Sequence, residues 1–228
     1  AIYEQNLPKK WINQPIGNAG GMSLHESQSL FIEMQIIKSL PVSRFIEKIL
    51  KKIGRKSNTW NRENIYKIRN RVKKDFIRVE SDEVHYPLHI IHRFNIENKI
   101  IEEEASINNL PDIWNEEFDR LFKLKVKNDN DGCLQDIHWY GGDFGYFPTY
   151  SIGAFIAAQL MNKIRKEVSS LDNDLTNGNF KNIIKWLNVN IHKKGSAYKI
   201  NDLLSLITDE NLNVKYYEDH ITNRYVKE

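Results

Sequence analysis

The 228-residue sequence predicts an all-α protein, read as one helical domain over residues 1–228. Apolar residues recur at helical spacing in several long runs, and Ser, Asn or Pro stands where those runs begin. Clusters of Val, Ile and Thr at alternating spacing are scarce. Hydrophobic residues make up 40% and charged residues 28% of the chain. That is the balance of a globular protein able to bury a core.

The elements follow in order. Residues 7–24 are rich in Pro, Gly and Asn and read as a loop. From Glu26 to Lys52, Leu30, Phe31, Met34, Ile36 and Ile37 keep a helical period, and Pro41 ends one helix and opens another. Ser57-Asn58-Thr59 is expected to cap a helix over 60–79, with Ile65, Ile68, Val72 and Phe76 as its inner stripe. A helix over 81–106 carries Val84, Leu88, Ile91 and Ile96, with Pro87 near its start. Pro111 opens the helical segment PDIWNEEFDRLFKLKV. Residues 127–132 form a turn-rich loop, and 132–150 are rich in glycine and aromatics without a regular period. Helices are predicted at 148–168, 177–193, 200–208 and 214–227.

Charge and cysteine usage narrow the function classes. Net charge is +3, from 33 basic and 30 acidic side chains, which neither demands nor excludes an anionic partner. The single cysteine, Cys133, cannot form an internal disulfide, so a reducing, cytoplasmic setting is expected. No apolar run approaches the ~20 residues of a membrane helix. The start, AIYEQNLPKK, lacks the pattern of a signal peptide; beginning at Ala rather than Met, it points to a processed product or a fragment.

Three stretches carry candidate chemistry. The basic stretch 48–78 holds Lys48, Lys51, Lys52, Arg55, Lys56, Arg62, Lys67, Arg69, Arg71, Lys73, Lys74 and Arg78. It could meet phosphates, but the same charges suit a solvated helix face, and nucleic acid is the weaker reading. In HYPLHIIHR, His85 and His89 have the spacing of zinc helices and His92 follows. Tyr86 stands where a metalloprotease needs Glu, so packing or surface histidines are preferred. The pair His25-Glu26 opens an apolar run; alone it is weak, since a Glu there also suits the helix dipole.

HESQS (25–29), IRVESDEV (77–84), GCLQDIHW (132–139) and FGYFPTY (144–150) occur in the order found in the Taq-type thermostable metallocarboxypeptidases. FKNIIKWLNVNIHKKG and NLNVKYYEDHITNRYV also resemble the C-terminus of that family. The resemblance spans the whole chain and implies the C-terminal half of a helical, zincin-like body. In the family, the zinc helix reads HExxH followed by a stretch like AIYEQ, so Ala1 would follow directly on the second zinc histidine.

The resemblance implies roles residue by residue. Glu26 would be the third zinc ligand, with His25 and Gln28 around it or lining the cleft. Arg78 would hold the substrate's terminal carboxylate, because a guanidinium grips a carboxylate with two parallel hydrogen bonds; Arg93 is the alternative. Gln135 and His138 match the Gln-Asp-x-His-Trp motif, and His138 would stabilise the oxyanion or orient the substrate. Tyr146 and Tyr150 would donate hydrogen bonds to the same intermediate. Asp136 would orient His138 or cap a turn. Leu30, Ile32 and Ser81 stand where the family usually has Arg, Trp and Ala.

The implied protein is a zinc enzyme, with cobalt as the alternative metal, acting on peptide C-termini and often dimeric. A complementary N-terminal half would be its partner. HExxH is absent from these residues, so the chain alone is expected to hold no tight zinc and to hydrolyse no peptide. A non-catalytic binding remnant is the alternative.

Overall fold

The computed structural model describes residues 1–55, 57–102 and 104–227. Helices and turns account for the described residues, with no strand among them. The contacts divide the chain into two compact units where the sequence was read as one domain: residues 1–70 with 152–228, and residues 71–151.

The first unit opens with α1 (Ile2–Gln5), a loop, and α2 (Met22–Leu30). α2 runs into a π-helical segment, Phe31–Ile37. Helix α3 (Leu40–Lys52) follows, with Pro41 in its first turn, as the sequence predicts, and Ser39 as its N-cap. The cap hydroxyl accepts from Val42 N at 3.5 Å. Helix α4 (Arg62–Arg69) is capped by Asn61, whose side chain accepts from Asn64 N at 2.9 Å.

The predicted helix over 60–79 stops there. Asn70 turns its side-chain amide onto Tyr66 O and Lys38 O, at 2.9 and 3.0 Å, and closes the end. In the second unit the Asp82 carboxylate accepts from Lys73 N, Val84 N and His85 N at 2.8–2.9 Å. These bonds hold 71–77 in an irregular path, and Val72 lies exposed. The basic stretch therefore divides between the two units and is no single helix face. Several of its charges are engaged: Lys48 with Thr176 O and Asn177, Lys51 with Glu47, Arg62 with Glu63, Lys73 with Asp75. Lys56 lies outside the described residues.

The second unit contains α5 (Tyr86–Ile101), α6 (Leu110–Phe122) and the short α7 (His138–Gly141). α5 and α6 are shorter than predicted; α6 ends on Lys123 in the left-handed region, at φ 54°. Their shared core is Ile96, Trp114, Phe118, Phe122 and Cys133. Of the apolar residues expected on α5, Ile96 lies in this core and Leu88 packs against it. Ile91 is exposed, whereas His85, His89, Arg93 and Glu97, spaced four apart, are all buried. One helix face thus carries four polar side chains into the interior.

The chain returns to the first unit along α8 (Pro148–Glu167), whose first four residues belong to the second unit. Gly153, Ala154, Ala157 and Ala158 leave α8 thin, and it is buried on most sides. Around it come α9 (Leu171–Thr176), α10 (Lys181–Asn190), α11 (Ile200–Thr208) and α12 (Lys215–Tyr225). Buried Gln159 on α8 satisfies both ends of its amide, donating to Thr208 Oγ1 and Asn211 O and accepting from Asn213 N. No described helix is long and apolar enough to cross a membrane.

Histidines 85, 89 and 92 are packing residues. The His89 ring lies 4.5 Å from Phe122, and the His92 ring 4.4 Å from Trp114. Burial, with the Arg93 charge nearby, pushes His89 down to about 2. Burial pushes His92 down to about 3 against the pull of its bond to Trp114 O. The unfolded chain takes up both protons near pH 6.5, and the fold refuses them until far lower. Between those values the unfolded state binds more protons, so stability falls as the pH drops below about 6.5. From pH 7 to pH 5 each histidine should remove about 2 kcal/mol. Urea denaturation followed by tryptophan fluorescence measures this. His89→Leu should lessen the acid loss by its own share; an unchanged pH dependence would refute the assignment.

Candidate active site

Seven of the ten residues singled out from the sequence come together in the second unit. Arg93 and Asp136 are buried, their side chains each 1% exposed, and Arg93 Nε donates to Asp136 Oδ2 at 2.7 Å. The other guanidinium nitrogens donate to His89 O at 3.1 Å and Gln135 Oε1 at 2.9 Å. The Arg93 guanidinium also stands 4.8 Å over the Trp114 ring. Burial lowers Arg93 to about 10, although Asp136 favours its charge; at neutral pH it remains a cation.

The second oxygen of Asp136 organises His138. Oδ1 accepts from the His138 backbone N–H at 2.9 Å and faces the ring Nδ1 at 3.2 Å. A carboxylate only accepts, so Nδ1 carries a proton. In the neutral imidazole Nε2 then accepts from the Tyr150 hydroxyl, at 2.8 Å. Asp136 both caps the turn at 136–138 and orients the ring. Tyr146 packs on the same pair, its ring 5.4 Å from His138 and 5.3 Å from Tyr150.

Arg78 joins from the short turn Arg78–Glu80. Its backbone N–H donates to Gln135 Oε1 at 3.2 Å, and its guanidinium lies 4.6 Å over the Tyr150 ring. The ion pair with Asp82 that a continuous helix would allow does not form. Asp82 instead binds backbone amides and His85 Nδ1, 2.9 Å away. Arg78 is half-buried.

Glu97, not singled out from the sequence, ties down the glycine-rich loop. It accepts from Trp139 Nε1 at 3.2 Å and from Gly145 N. Its signal was available: Arg93 and Glu97 stand one helical turn apart on the face of α5 that also bears the buried His89.

The remaining three residues lie in the first unit. Glu26, on α2, is half-buried and accepts from Ser29 Oγ at 3.1 Å. Gly153 of α8 packs against it; a Cβ there would lie 3.1 Å from both Glu26 Cβ and Ser27 N. Glycine thus lets two helices approach where the carboxylate stands. Gln28 is buried, donates to Ser27 Oγ and faces His192 Nε2 at 3.1 Å. His25 reaches outward to Glu4 at 3.0 Å.

Glu26 can give a metal one oxygen donor. Among the described residues, no group of three His, Cys, Asp or Glu is placed to hold an ion, and the 228 residues contain no His-Glu-x-x-His. A zinc site takes three or more protein ligands, and Glu26 is one.

An all-helical scaffold thus sets a half-buried arginine beside a hydrogen-bonded chain of Tyr150, His138 and Asp136. Comparison with known proteins places it more narrowly. The profile of the carboxypeptidase Taq (M32) metallopeptidases matches residues 1–225. Carboxypeptidase 1 of Bacillus subtilis is 38% identical over 229 residues, and thermostable carboxypeptidase 1 of Pyrococcus furiosus is 34% identical over 226. Each match covers 99% of this chain and 45% of the relative. The fold superposes on Trypanosoma cruzi metallocarboxypeptidase 1 with a TM-score of 0.93, at 38% identity, covering 99% of this chain and 47% of that one. The chain belongs to the carboxypeptidase Taq metallopeptidase family, and it spans about half the length of the relatives it matches.

The buried pair sets a stability test. Asp136→Asn would strand the Arg93 charge, and truncating one partner of a buried pair costs about 3–5 kcal/mol. Removing both charges, in Arg93→Met with Asp136→Leu, should recover most of that loss. Denaturant midpoints of the three proteins measure it; a double variant no more stable than Asp136→Asn would contradict a buried ion pair.

Proposed function

We propose that this chain supplies the carboxylate-recognising half of a zinc metallocarboxypeptidase that removes single residues from peptide C-termini. The observation that carries this reading is the cluster of Arg78, Gln135, Asp136, His138 and Tyr150, held in one hydrogen-bonded frame.

In this reading Arg78 grips the free carboxylate of the peptide. Its guanidinium has one face against Tyr150 and edge donors for two parallel hydrogen bonds. Arg93, with its donors committed inside, holds Asp136 and Gln135 in place. His138 and Tyr150 share one proton position between Nε2 and the hydroxyl. When His138 gains a proton, Nε2–H donates to the Tyr150 oxygen. The Tyr150 O–H can then turn to an oxygen that gathers negative charge. Tyr146 bounds the same space.

Glu26 is one donor to zinc, or to cobalt; two histidines and the general base would come from an HExxH segment outside these residues. The bound metal would supply Lewis-acid polarisation and an activated water. The complete protein is proposed to be cytoplasmic and a homodimer.

Two measurements test this. Purified 1–228 should retain no stoichiometric zinc and release no C-terminal residue. Mixed with a polypeptide carrying the HExxH half, it should gain both, and Glu26→Gln should lose the metal. In the reconstituted enzyme, Arg78→Met should lower kcat/KM roughly 100-fold, the loss of a charge-assisted hydrogen-bond pair. Turnover by 1–228 alone, or equal cleavage of free and amidated peptides, would sink the proposal.

A further inference from the structure

The sequence contains a single Asn–Gly step, Asn177–Gly178, so one asparagine stands apart from the others in its chemistry. At such a step an electrophile sits beside a nucleophile. The Gly178 backbone nitrogen, once its proton passes to base, can attack the carbon of the Asn177 side-chain amide. Glycine has no Cβ to obstruct that approach and leaves the backbone free to make it.

The fold holds the two reactants apart. Asn177 is exposed and closes the end of α9, at φ −103° and ψ 6°, which leaves the Gly178 nitrogen rotated away from the side chain. The Gly178 N–H is spent on Leu175 O at 3.1 Å. The Asn177 amide is held at both ends. Its Oδ1 accepts from Lys48 Nζ at 2.9 Å, and its Nδ2 donates to Asn173 O at 2.9 Å. Lys48 also donates to Thr176 O at 3.0 Å, so one ammonium group from α3 ties down the last turn of α9.

The turn is wedged as well as tied. Gly178 has φ 69°, and a Cβ there would overlap the Phe45 ring of α3. The glycine backbone therefore lies directly on that ring, whose other contact is Phe180, edge-on with centroids 6.4 Å apart. Ring closure needs rotation about ψ of Asn177. That rotation would lift Gly178 off Phe45 and break the bonds to Leu175, Lys48 and Asn173.

We propose that Asn177 is a deamidation site gated by the fold, reactive only when the end of α9 opens from α3. In the open state the Gly178 nitrogen bonds to Asn177 Cγ and its proton goes to base. The Cγ–Nδ2 bond breaks, and the nitrogen leaves as ammonia with a proton from water. A second water opens the five-membered imide at either carbonyl, giving aspartate or isoaspartate. The balance needs only water and base.

Neither product fits the closed turn. Aspartate presents an acceptor to Asn173 O where Nδ2 donated. Isoaspartate lengthens the backbone where Gly178 must touch Phe45. The step does not reverse, so each opening that ends in reaction leaves α9 less firmly joined to α3.

Peptide mapping by mass spectrometry tests this. Intact 1–228 and a synthetic peptide of residues 172–181 are incubated in the same mildly alkaline buffer. Asn177 should be the asparagine that converts first in the peptide. In the folded chain its conversion should be slower by about 100-fold, the combined effect of three hydrogen bonds that must open together. Lys48→Met, at an exposed position, should keep the circular dichroism of the parent and raise the folded-state rate about fivefold. Urea below the unfolding transition should raise it too, since it favours the open turn. Equal rates in chain and peptide, or a folded-state rate that neither Lys48→Met nor urea increases, would overturn the gate. Earlier conversion of another asparagine in the peptide would overturn the site.

Discussion

Arg93 and Asp136 carry opposite charges at a place from which water is excluded. Taking two ions out of water costs several kcal/mol each, and their mutual attraction rarely returns more than that. At 4 Å it is about 4 kcal/mol for an effective dielectric of 20. The pair is therefore a poor source of net stability. What it fixes is position. Two of its remaining groups are directed at residues of the site: one guanidinium nitrogen at Gln135, and the second carboxylate oxygen at the His138 ring and backbone. A misplaced arginine would leave a buried charge unmatched, which few alternative packings tolerate. The penalty for error keeps the frame single-valued.

This logic explains why α5 was only half legible in its sequence. A helix start near Pro87 and an apolar pattern were plain, and a helix is there. The apolar residues Val84, Leu88, Ile91 and Ile96 mark the helix, and of them Ile96 reaches the core while Ile91 is exposed. Hydropathy assigns His, Arg and Glu to solvent, and here it assigns wrongly. Burial of Arg93 and Glu97 is made possible by partners far along the chain, Asp136 and Trp139 among them. Spacing within one helix cannot reveal a partner 40 residues away. The end of α4 failed for a related reason. The periodicity of Ile65, Ile68, Val72 and Phe76 continues past Asn70, but the Asp82 carboxylate takes the Lys73 amide that a continuing helix would keep. α8 and α11, whose buried residues are mostly apolar, kept the predicted bounds to within a residue.

The site residues themselves were legible through resemblance more than through chemistry. Nothing in the local sequence marks Glu26 as special; the structure adds Gly153, whose lack of a side chain lets α8 lie against α2 at that carboxylate. Seven candidates share one unit and three the other, each set placed by its own packing. Arg78, the first choice from the resemblance, and Arg93, the alternative, differ by burial: one is half-buried, the other is spent on the frame.

The relay occupies an irregular loop, where chain entropy works against fixed geometry. Residues 139–145 include Gly142 and Gly145, at φ 79° and 74°, which permit a tight reversal that side chains would oppose. Such freedom would blur the His138–Tyr150 distance unless the loop were anchored. The anchors are at both ends: Asp136 holds the ring and amide of His138, and Glu97 takes the Trp139 indole and the Gly145 amide. Both anchors trace back to α5, through Arg93 and directly through Glu97, one helical turn apart. A helix with a polar buried face thus does for this loop what a sheet does for the loops of other enzymes: it converts glycine's permissiveness into one geometry.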